Sequence, residues 1–243
     1  MNITMKKIKA AILVFDILTG LLLCLVYVNK HGLADRVMSG AVVNDESVGG
    51  QQSPVKDVEQ KKIALTFDDG PHPYYTEQLL DGLKERGVVA TFFVTGEHAA
   101  LHPDVIIRMQ EDGHLIGNHT YSHIQLTTKN REKYKQELID TNAVIEGITG
   151  EEVLYVRPPY GTWDKKFESE LNMFPVLWTI DPLDWCSDNV DCIAGKVVEK
   201  AEENDIILMH DYYESSVTAA LKIVDELQEE GYEFVTVEEI LFD

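Results

Sequence analysis

The chain has 243 residues, of which 44% are hydrophobic, and this is enough for one sizeable globular domain with a buried core. Its 42 acidic and 21 basic residues give a formal net charge of −21 at pH 7. This charge excludes nucleic acid as an expected partner, because the phosphate backbone would be repelled. A solvated acidic surface that keeps the domain in solution accounts for the excess.

The first thirty residues differ from the rest of the chain. Three lysines within residues 6–9 precede an apolar run, 10–28, whose only charged side chain is Asp16. The length and composition of this run predict a signal anchor, with the lysines in the cytoplasm and the remaining chain outside the cell membrane. Two alternatives stay open: a signal peptide cleaved near the small residues of 32–34, followed by secretion, and a buried helix of the globular domain.

Residues 31–60 contain many Gly, Ser, Val and Gln residues without a clear apolar period, and they are predicted to be a flexible tether. From residue 61 to residue 243, short apolar runs alternate with longer amphipathic segments. The short runs predict strands at 63–67, 90–94, 114–117, 153–156, 174–180, 205–209 and 233–235. The longer segments predict helices at 75–86, 103–112, 131–148, 165–171, 190–202 and 216–229.

This alternation predicts parallel strands joined by right-handed crossovers. A doubly wound sheet and a (β/α) barrel both fit the order. The candidate polar residues follow the C-terminal ends of different strands, and in a barrel those ends converge on one face. The predicted fold class is therefore α/β, a distorted (β/α) barrel of about seven parallel strands, preceded by the membrane-spanning helix.

Two consecutive aspartates, Asp68 and Asp69, close the apolar run 63–67. A carboxylate at the end of a buried strand needs a cation or hydrogen-bond donors as compensation. Two in succession suggest two roles. One can ligate a divalent metal while the other stays unligated and acts as a base.

His119 and His123 are the natural partners of such a carboxylate. They are four residues apart, so on a helical turn their rings would project from the same side and share one ion. Together with Asp69 they form a set suited to Zn²⁺ or another first-row divalent ion. Considered alone, the two histidines also fit unconnected surface residues.

Three further segments place polar residues after predicted strands. Arg157 precedes two prolines that make a stiff loop, Asp184 stands beside Trp185, and His210 ends an apolar strand. Tryptophan is a suitable platform for a sugar ring. Singly, these residues also fit a surface charge, a packed aromatic side chain and a hydrogen-bonded core histidine.

Two cysteines, Cys186 and Cys192, follow the predicted membrane span. In an oxidising compartment they could close a small loop through a disulfide, and free thiols are the alternative. Two cysteines without further partners make a poor zinc site, so the metal is not expected there.

Taken in order, these segments resemble the five motifs of the polysaccharide deacetylases of carbohydrate esterase family 4, the NodB-homology domain. The resemblance covers about residues 62–237. The five matching segments are TFDDGPHP at 66–73, HTYSH at 119–123, RPPYG at 157–161, DW at 184–185 and LMH at 208–210.

The resemblance implies a role for each matching residue. Asp69, His119 and His123 would hold one divalent ion, Zn²⁺ first, with Co²⁺, Mn²⁺ and Ni²⁺ as alternatives. Asp68 would be the general base and His210 the general acid. The supporting residues would be Arg157 paired with Asp68, Asp184 paired with His210, the backbone N–H of Tyr160 at the oxyanion, and Trp185 and Leu208 along the groove and acetyl pocket.

The resemblance also implies a function. We expect a monomeric, metal-dependent hydrolase that removes N-acetyl groups from N-acetylglucosamine residues of a cell-wall glycan. The predicted membrane anchor favours peptidoglycan as that glycan. An O-acetyl esterase acting on xylan or another polysaccharide and a catalytically inactive, glycan-binding wall protein are the alternatives.

Overall fold

The computed structural model of the protein describes residues 60–242. The predicted membrane anchor and almost all of the predicted tether lie outside the described residues. Between residues 60 and 242, no helix has both the length and the apolar character that a membrane span requires.

Strands and helices alternate along the described chain. The strands are β1 (Lys61–Asp68), β2 (Thr91–Val94), β3 (Leu115–Asn118), β4 (Tyr155–Val156), β5 (Phe174–Pro175), β6 (Ile206–His210) and β7 (Tyr232–Val235). The helices are α1 (Tyr75–Glu85), α2 (Gly96–Leu101), α3 (Pro103–Glu111), α4 (Arg131–Thr149), α5 (Lys166–Leu171), α6 (Val190–Val198), α7 (Glu214–Glu229) and α8 (Val237–Phe242). Two short 3-10 turns cover Pro159–Gly161 and Asp184–Cys186.

All seven strands belong to one parallel sheet, with the order β5-β4-β3-β2-β1-β6 and with β7 beside the first half of β1. The predicted parallel α/β arrangement is therefore confirmed. The sheet is strongly curled, because the segment after β5 reaches both of its edges. The N–H of Val176 donates to the carbonyl of Val156 in β4, whereas the N–H of Leu208 in β6 donates to the carbonyl of Ile180.

Strand β1 is buried on both faces from Ile63 onward, which explains why its sequence is mostly apolar there. Successive side chains point to opposite faces of a strand. Ile63, Leu65 and Phe67 pack in the main core with residues of the surrounding helices, whereas Ala64 belongs to a second cluster with Val237 of α8. Thr66 and Asp68 share the face of Ala64, so polar groups occupy the curled interior near the C-terminal end of β1.

The predicted elements are all present, and the differences concern their ends. The predicted strand 174–180 is regular only over β5, since its second half leaves β4 and pairs with β6. Helix α6 ends at Val198, four residues before its predicted end. Helices α2 and α8, of six residues each, were not predicted.

Candidate active site

Three side chains at the C-terminal edge of the sheet can act together as metal ligands. Asp69, His119 and His123 each offer one ligand atom, and these atoms lie within 4.8 Å of one another. Oδ1 of Asp69 is 3.4 Å from Nε2 of both histidines. Within residues 60–242 this buried oxygen has no hydrogen-bond partner. A buried carboxylate oxygen that faces two ring nitrogens is stabilised by a cation, so the group fits a divalent metal ion.

The main chain orients these ligands. Nδ1 of His119 donates to the carbonyl of Arg157 at 2.6 Å, which leaves the lone pair on Nε2 for the metal. Nδ1 of His98 donates to the carbonyl of Asp69 at 2.7 Å. The helical turn expected for 119–123 is wrong, because this segment is an irregular loop in which Thr120 and His123 have positive φ. The loop nevertheless brings the two histidine rings to 4.9 Å between centroids.

Burial and neighbouring charges together favour the metal-binding forms of two ligands, Asp69 and His123. Burial raises the pKa of Asp69, but the close approach of the His119 ring and the charge of His123 lower it to about 2. Burial lowers the pKa of His123, against the opposing attraction of Asp69. A carboxylate and a neutral imidazole are the forms that bind a metal.

Asp68 lies beside this group and is held by Arg157. Its Oδ1 accepts from a guanidinium N–H of Arg157 at 2.9 Å, whereas its Oδ2 lies 3.7 Å from Nε2 of His119. Arg157 is completely buried, and its other N–H groups donate to Thr66 and to the carbonyls of Val176 and Leu177. These four acceptors offset part of the cost of burying the ion pair. The contact leaves Oδ2 facing the ligand group.

His210 faces Asp68 from the neighbouring strand, because the two residues are register partners in the pairing of β1 with β6. Nδ1 of His210 donates to Oδ1 of Asp184 at 2.8 Å, and the backbone N–H of His210 donates to Oδ2 at 2.9 Å. Burial lowers the pKa of His210, but Asp184, together with the charges of Asp68 and Asp69, raises it to about 9. The ring is therefore protonated at neutral pH.

The remaining predicted site residues border this centre. Tyr160 lies on the 3-10 turn after Arg157 with φ of 60°, and its exposed ring is 5.1 Å from the ring of His123. Trp185 is exposed on the turn that carries Asp184. Leu208 is buried on the same face of β6 as His210, two residues before it.

Thr66 is a site residue that the sequence analysis missed. Its hydroxyl accepts from Arg157 at 2.5 Å and donates to the carbonyl of Ile207 at 2.6 Å, so it links the buried guanidinium to β6. The signal was a polar residue two positions before Asp68, on the same face of an otherwise apolar strand.

Asp211 was also missed. It is completely buried next to His210, its Oδ2 accepts from the hydroxyl of Thr76, and within the described residues its Oδ1 has no partner. A Cβ added at Gly70 would come to 2.3 Å from this carboxylate, so only glycine allows the loop after Asp69 to approach so closely. Burial, opposed by the bond from Thr76, raises the pKa of Asp211 to about 7.

The raised pKa of Asp211 has a consequence for stability. In the unfolded chain the carboxyl loses its proton near pH 4, but in the folded protein it does so near 7, so it lowers stability progressively between these values. Asp211→Asn keeps an acceptor for Thr76 without the charge. We expect the unfolding free energy of the variant, relative to the original protein, to rise by about 4 kcal/mol from pH 4 to pH 8. Urea unfolding of both proteins, freed of metal by a chelator, at several pH values measures this difference.

The control is Asp140→Asn, which changes an exposed aspartate and should give a constant difference across the same pH range. A difference between Asp211→Asn and the original protein that does not vary with pH would contradict the assignment.

Cys186 and Cys192 are both exposed and carry free thiols, so the small-loop disulfide is not formed. Cys186 lies on the turn of Trp185, where its Sγ is 3.2 Å from the carbonyl of Leu183. Neither thiol belongs to the candidate ligand group.

The sequence profile of the family described as polysaccharide deacetylase matches residues 55–176. This chain belongs to the polysaccharide deacetylase family. The resemblance seen in the five motifs is thereby confirmed.

Within this polysaccharide deacetylase family, two relatives show the extent of the match. The chain is 41% identical over 184 residues to the peptidoglycan-N-acetylmuramic acid deacetylase PdaC of Bacillus subtilis, covering 76% of this chain and 39% of PdaC. It is 37% identical over 183 residues to a peptidoglycan-N-acetylglucosamine deacetylase of Bacillus cereus, covering 72% of this chain and 66% of the relative. The chain thus spans between about two fifths and two thirds of these curated relatives.

Solved structures of the polysaccharide deacetylase family have the same fold. The structure of PdaC superposes with a TM-score of 0.73 at 41% identity, covering 75% of this chain and 91% of that one. A family 4 acetyl xylan esterase from Clostridium thermocellum, in complex with a cobalt ion, superposes with a TM-score of 0.69 at 34% identity, covering 74% of this chain and 90% of that one.

Proposed function

We propose that this protein is a metal-dependent N-deacetylase that removes acetyl groups from N-acetylglucosamine residues of peptidoglycan. The observation that carries the proposal is a cluster of side chains at one strand edge. Asp69, His119 and His123 form the ligand group, and the carboxylate of Asp68 and the charged ring of His210 lie next to it. This arrangement places metal ligands, a base and an acid at one strand edge, and these are the groups that metal-assisted amide hydrolysis requires.

Asp68 acts as the base in this proposal. Asp69, His119 and His123 would hold a divalent ion, with Zn²⁺ as the first candidate, and that ion would supply Lewis acidity toward the acetamide carbonyl and water. Arg157 engages Oδ1 of Asp68, and Oδ2 therefore remains available to take the proton from the attacking water.

His210 acts as the acid. Its Nδ1 is bound to Asp184, so Nε2 carries the proton that passes to the leaving sugar amine. The backbone N–H of Tyr160 is proposed to donate to the oxygen that becomes negative during attack. Trp185 and Leu208 are proposed to contact the sugar ring and the acetyl methyl group, respectively.

The peptidoglycan substrate is supported by the named activities of the two Bacillus relatives and by the predicted membrane anchor, which would hold the domain beside the wall. One relative is named for N-acetylmuramic acid and the other for N-acetylglucosamine. We propose N-acetylglucosamine, as expected from the motifs, and the test includes both sugars.

An O-acetyl esterase is the second candidate, because the acetyl xylan esterase shares the fold at 34% identity and the same attack serves an ester. An inactive glycan-binding protein is disfavoured, since all seven residues with proposed metal and proton-transfer functions are present: Asp68, Asp69, His119, His123, Arg157, Asp184 and His210.

Acetate release tests the proposal. The full-length protein, purified in detergent, should release acetate from N-acetylglucosamine oligomers and peptidoglycan, and a chelator should reduce the rate at least about a hundredfold. Restoring Zn²⁺ should recover the activity. Mass analysis of digested peptidoglycan identifies which sugar lost its acetyl group.

Acetylxylan is the discriminating substrate. Faster release of acetate from acetylxylan than from the amide substrates would favour the esterase. Release of acetate that is insensitive to the chelator would refute the metal-dependent mechanism. No release from any of these substrates would favour the inactive, glycan-binding protein.

A further inference from the structure

An aromatic run extends from one side of the candidate site. The ring of His98 stacks on Tyr212 with centroids 5.5 Å apart, and Tyr212 meets the edge of His72 at 4.8 Å. His72 stacks on Tyr75 at 4.6 Å, and Tyr75 contacts Tyr74 at 5.4 Å. Each ring in this series contacts the next, and the run ends in the exposed ring of Tyr74.

The run begins at the proposed catalytic centre. His98 donates to the carbonyl of Asp69, a proposed metal ligand, and Tyr212 follows His210 by two residues. The ring of His72 is held by the backbone N–H of Tyr75, which donates to its Nδ1 at 3.1 Å. The inner rings are therefore fixed to the loops that carry the site.

The outer rings are exposed. Tyr74 is 59% exposed, Tyr213 is 45% exposed and Tyr212 is 36% exposed. Tyr213 continues the run beyond Tyr212, with centroids 6.1 Å apart. Single exposed apolar residues are ordinary on a protein surface, but a contiguous patch marks a binding surface. Internal packing accounts for the inner rings and leaves the exposure of Tyr74 and Tyr213 unexplained.

A surface cavity of about 430 Å³ adjoins the outer end of the run. Tyrosine rings and one valine provide its apolar walls, and carboxylate and hydroxyl groups provide hydrogen-bonding partners. Its lining includes Tyr75, Tyr213, Val190, Asp188, Glu214 and Thr218. We call this aromatic run the tyrosine shelf. It consists of His98, Tyr212, His72, Tyr75, Tyr74 and Tyr213, and the cavity adjoins it.

We propose that the tyrosine shelf is a carbohydrate subsite that binds sugar units distant from the one being deacetylated. This inference rests on the proposed function, because a polysaccharide substrate continues beyond the catalytic centre. Aromatic faces pack against the C–H faces of sugar rings, while carboxylates and hydroxyls accept and donate hydrogen bonds at the sugar hydroxyls.

The dependence of catalysis on substrate length tests the shelf. We expect Tyr74→Ala and Tyr213→Ala each to lower the ratio of kcat/KM for the N-acetylglucosamine hexamer to that for the dimer, by about fivefold to tenfold. Tyr213→Phe, which keeps the ring, should retain most of the ratio. The full-length protein is used throughout, and melting temperatures confirm that each variant is folded.

Phe242→Ala is the matched control. Phe242 is an exposed aromatic residue of α8. It contacts Phe174, the first residue of β5, and so lies at the N-terminal end of the strands, away from the candidate site. This variant should leave the ratio unchanged. An unchanged ratio in both Tyr74→Ala and Tyr213→Ala would overturn the proposed subsite.

A binding measurement separates failure of the subsite from failure of the proposed function. Calorimetry of the hexamer with Asp68→Asn should show an affinity that falls about fivefold to tenfold when Tyr213→Ala is added. If no substrate yields acetate but this dependence is observed, the proposed function fails and the subsite stands. If acetate is released and neither measurement depends on the tyrosines, the subsite fails alone.

Discussion

Asp68→Asn should lower turnover of N-acetylglucosamine oligomers by about a thousandfold, while the protein keeps its metal. The side chain retains its shape and an oxygen that accepts from Arg157, but an amide cannot take the proton from the attacking water. A positioned base contributes roughly 10²- to 10⁴-fold, and a thousandfold loss corresponds to about 4 kcal/mol in the activation free energy. Single-turnover kinetics and metal analysis of the same sample measure both results.

His119→Ala should behave differently, because it removes a proposed ligand. We expect loss of the metal itself, and weaker activity that added metal restores only partly. The pair of variants distinguishes a base from a ligand. Loss of metal in Asp68→Asn would place Asp68 in the ligand group, and turnover within tenfold of the original rate would refute its role as base.

Asp81→Asn is the matched control for the ion pair. The carboxylate of Asp81 is exposed and forms a salt bridge with Arg108, whereas the carboxylate of Asp68 forms one with the buried Arg157. Surface pairs contribute little to stability, so the control should keep both turnover and melting temperature. Asp68→Asn should lower the melting temperature, because it leaves a buried guanidinium without its counter-charge.

Much of the fold could be predicted because burial leaves a clear pattern. Strands β1 and β6 are mostly apolar, and a strand of this kind is buried on both faces in a parallel sheet. The double role of segment 174–180 could not be predicted, since a sequence pattern does not report that a strand changes partners. Helix α8, of six residues, was also missed.

The candidate site could be assembled from the sequence because the C-terminal ends of parallel strands converge. Asp68 and His210, which are distant in the sequence, are register partners on adjacent strands. The environment of Arg157 could not be predicted. An arginine before two prolines has the pattern of a surface residue, and its burial depends on acceptors from Thr66, Val176 and Leu177 that only the folded chain brings together.

Asp184→Asn should move the alkaline limit of activity to lower pH. In the original protein Asp184 is the largest contribution that raises the pKa of His210 to about 9, against the effect of burial. The acid form of His210 is therefore present at neutral pH and is lost as pH rises through about 9. An asparagine still accepts from Nδ1 but carries no charge, so the pKa should fall by at least about one unit, which is about 1.4 kcal/mol.

The same shift affects stability with a defined sign. A histidine whose folded pKa lies above its unfolded value of about 6.5 stabilises the protein fully below that value, and this contribution disappears as pH rises through about 9. Asp184→Asn should therefore reduce the unfolding free energy at pH 6 more than at pH 10. Urea unfolding at the two pH values measures this difference.

Direct titration distinguishes His210 from other groups that limit activity at high pH. Nitrogen NMR of His210 and the pH dependence of kcat should shift together in Asp184→Asn. Asp181→Asn is the control, because Asp181 lies on the same loop and its carboxylate bonds to the backbone of Leu183. A bound cation opposes the field of Asp68 and Asp69, so the proteins are compared at equal metal content. If the NMR titration of His210 is the same in Asp184→Asn as in the original protein, Asp184 does not set the pKa of His210. Another group would then have to raise that pKa.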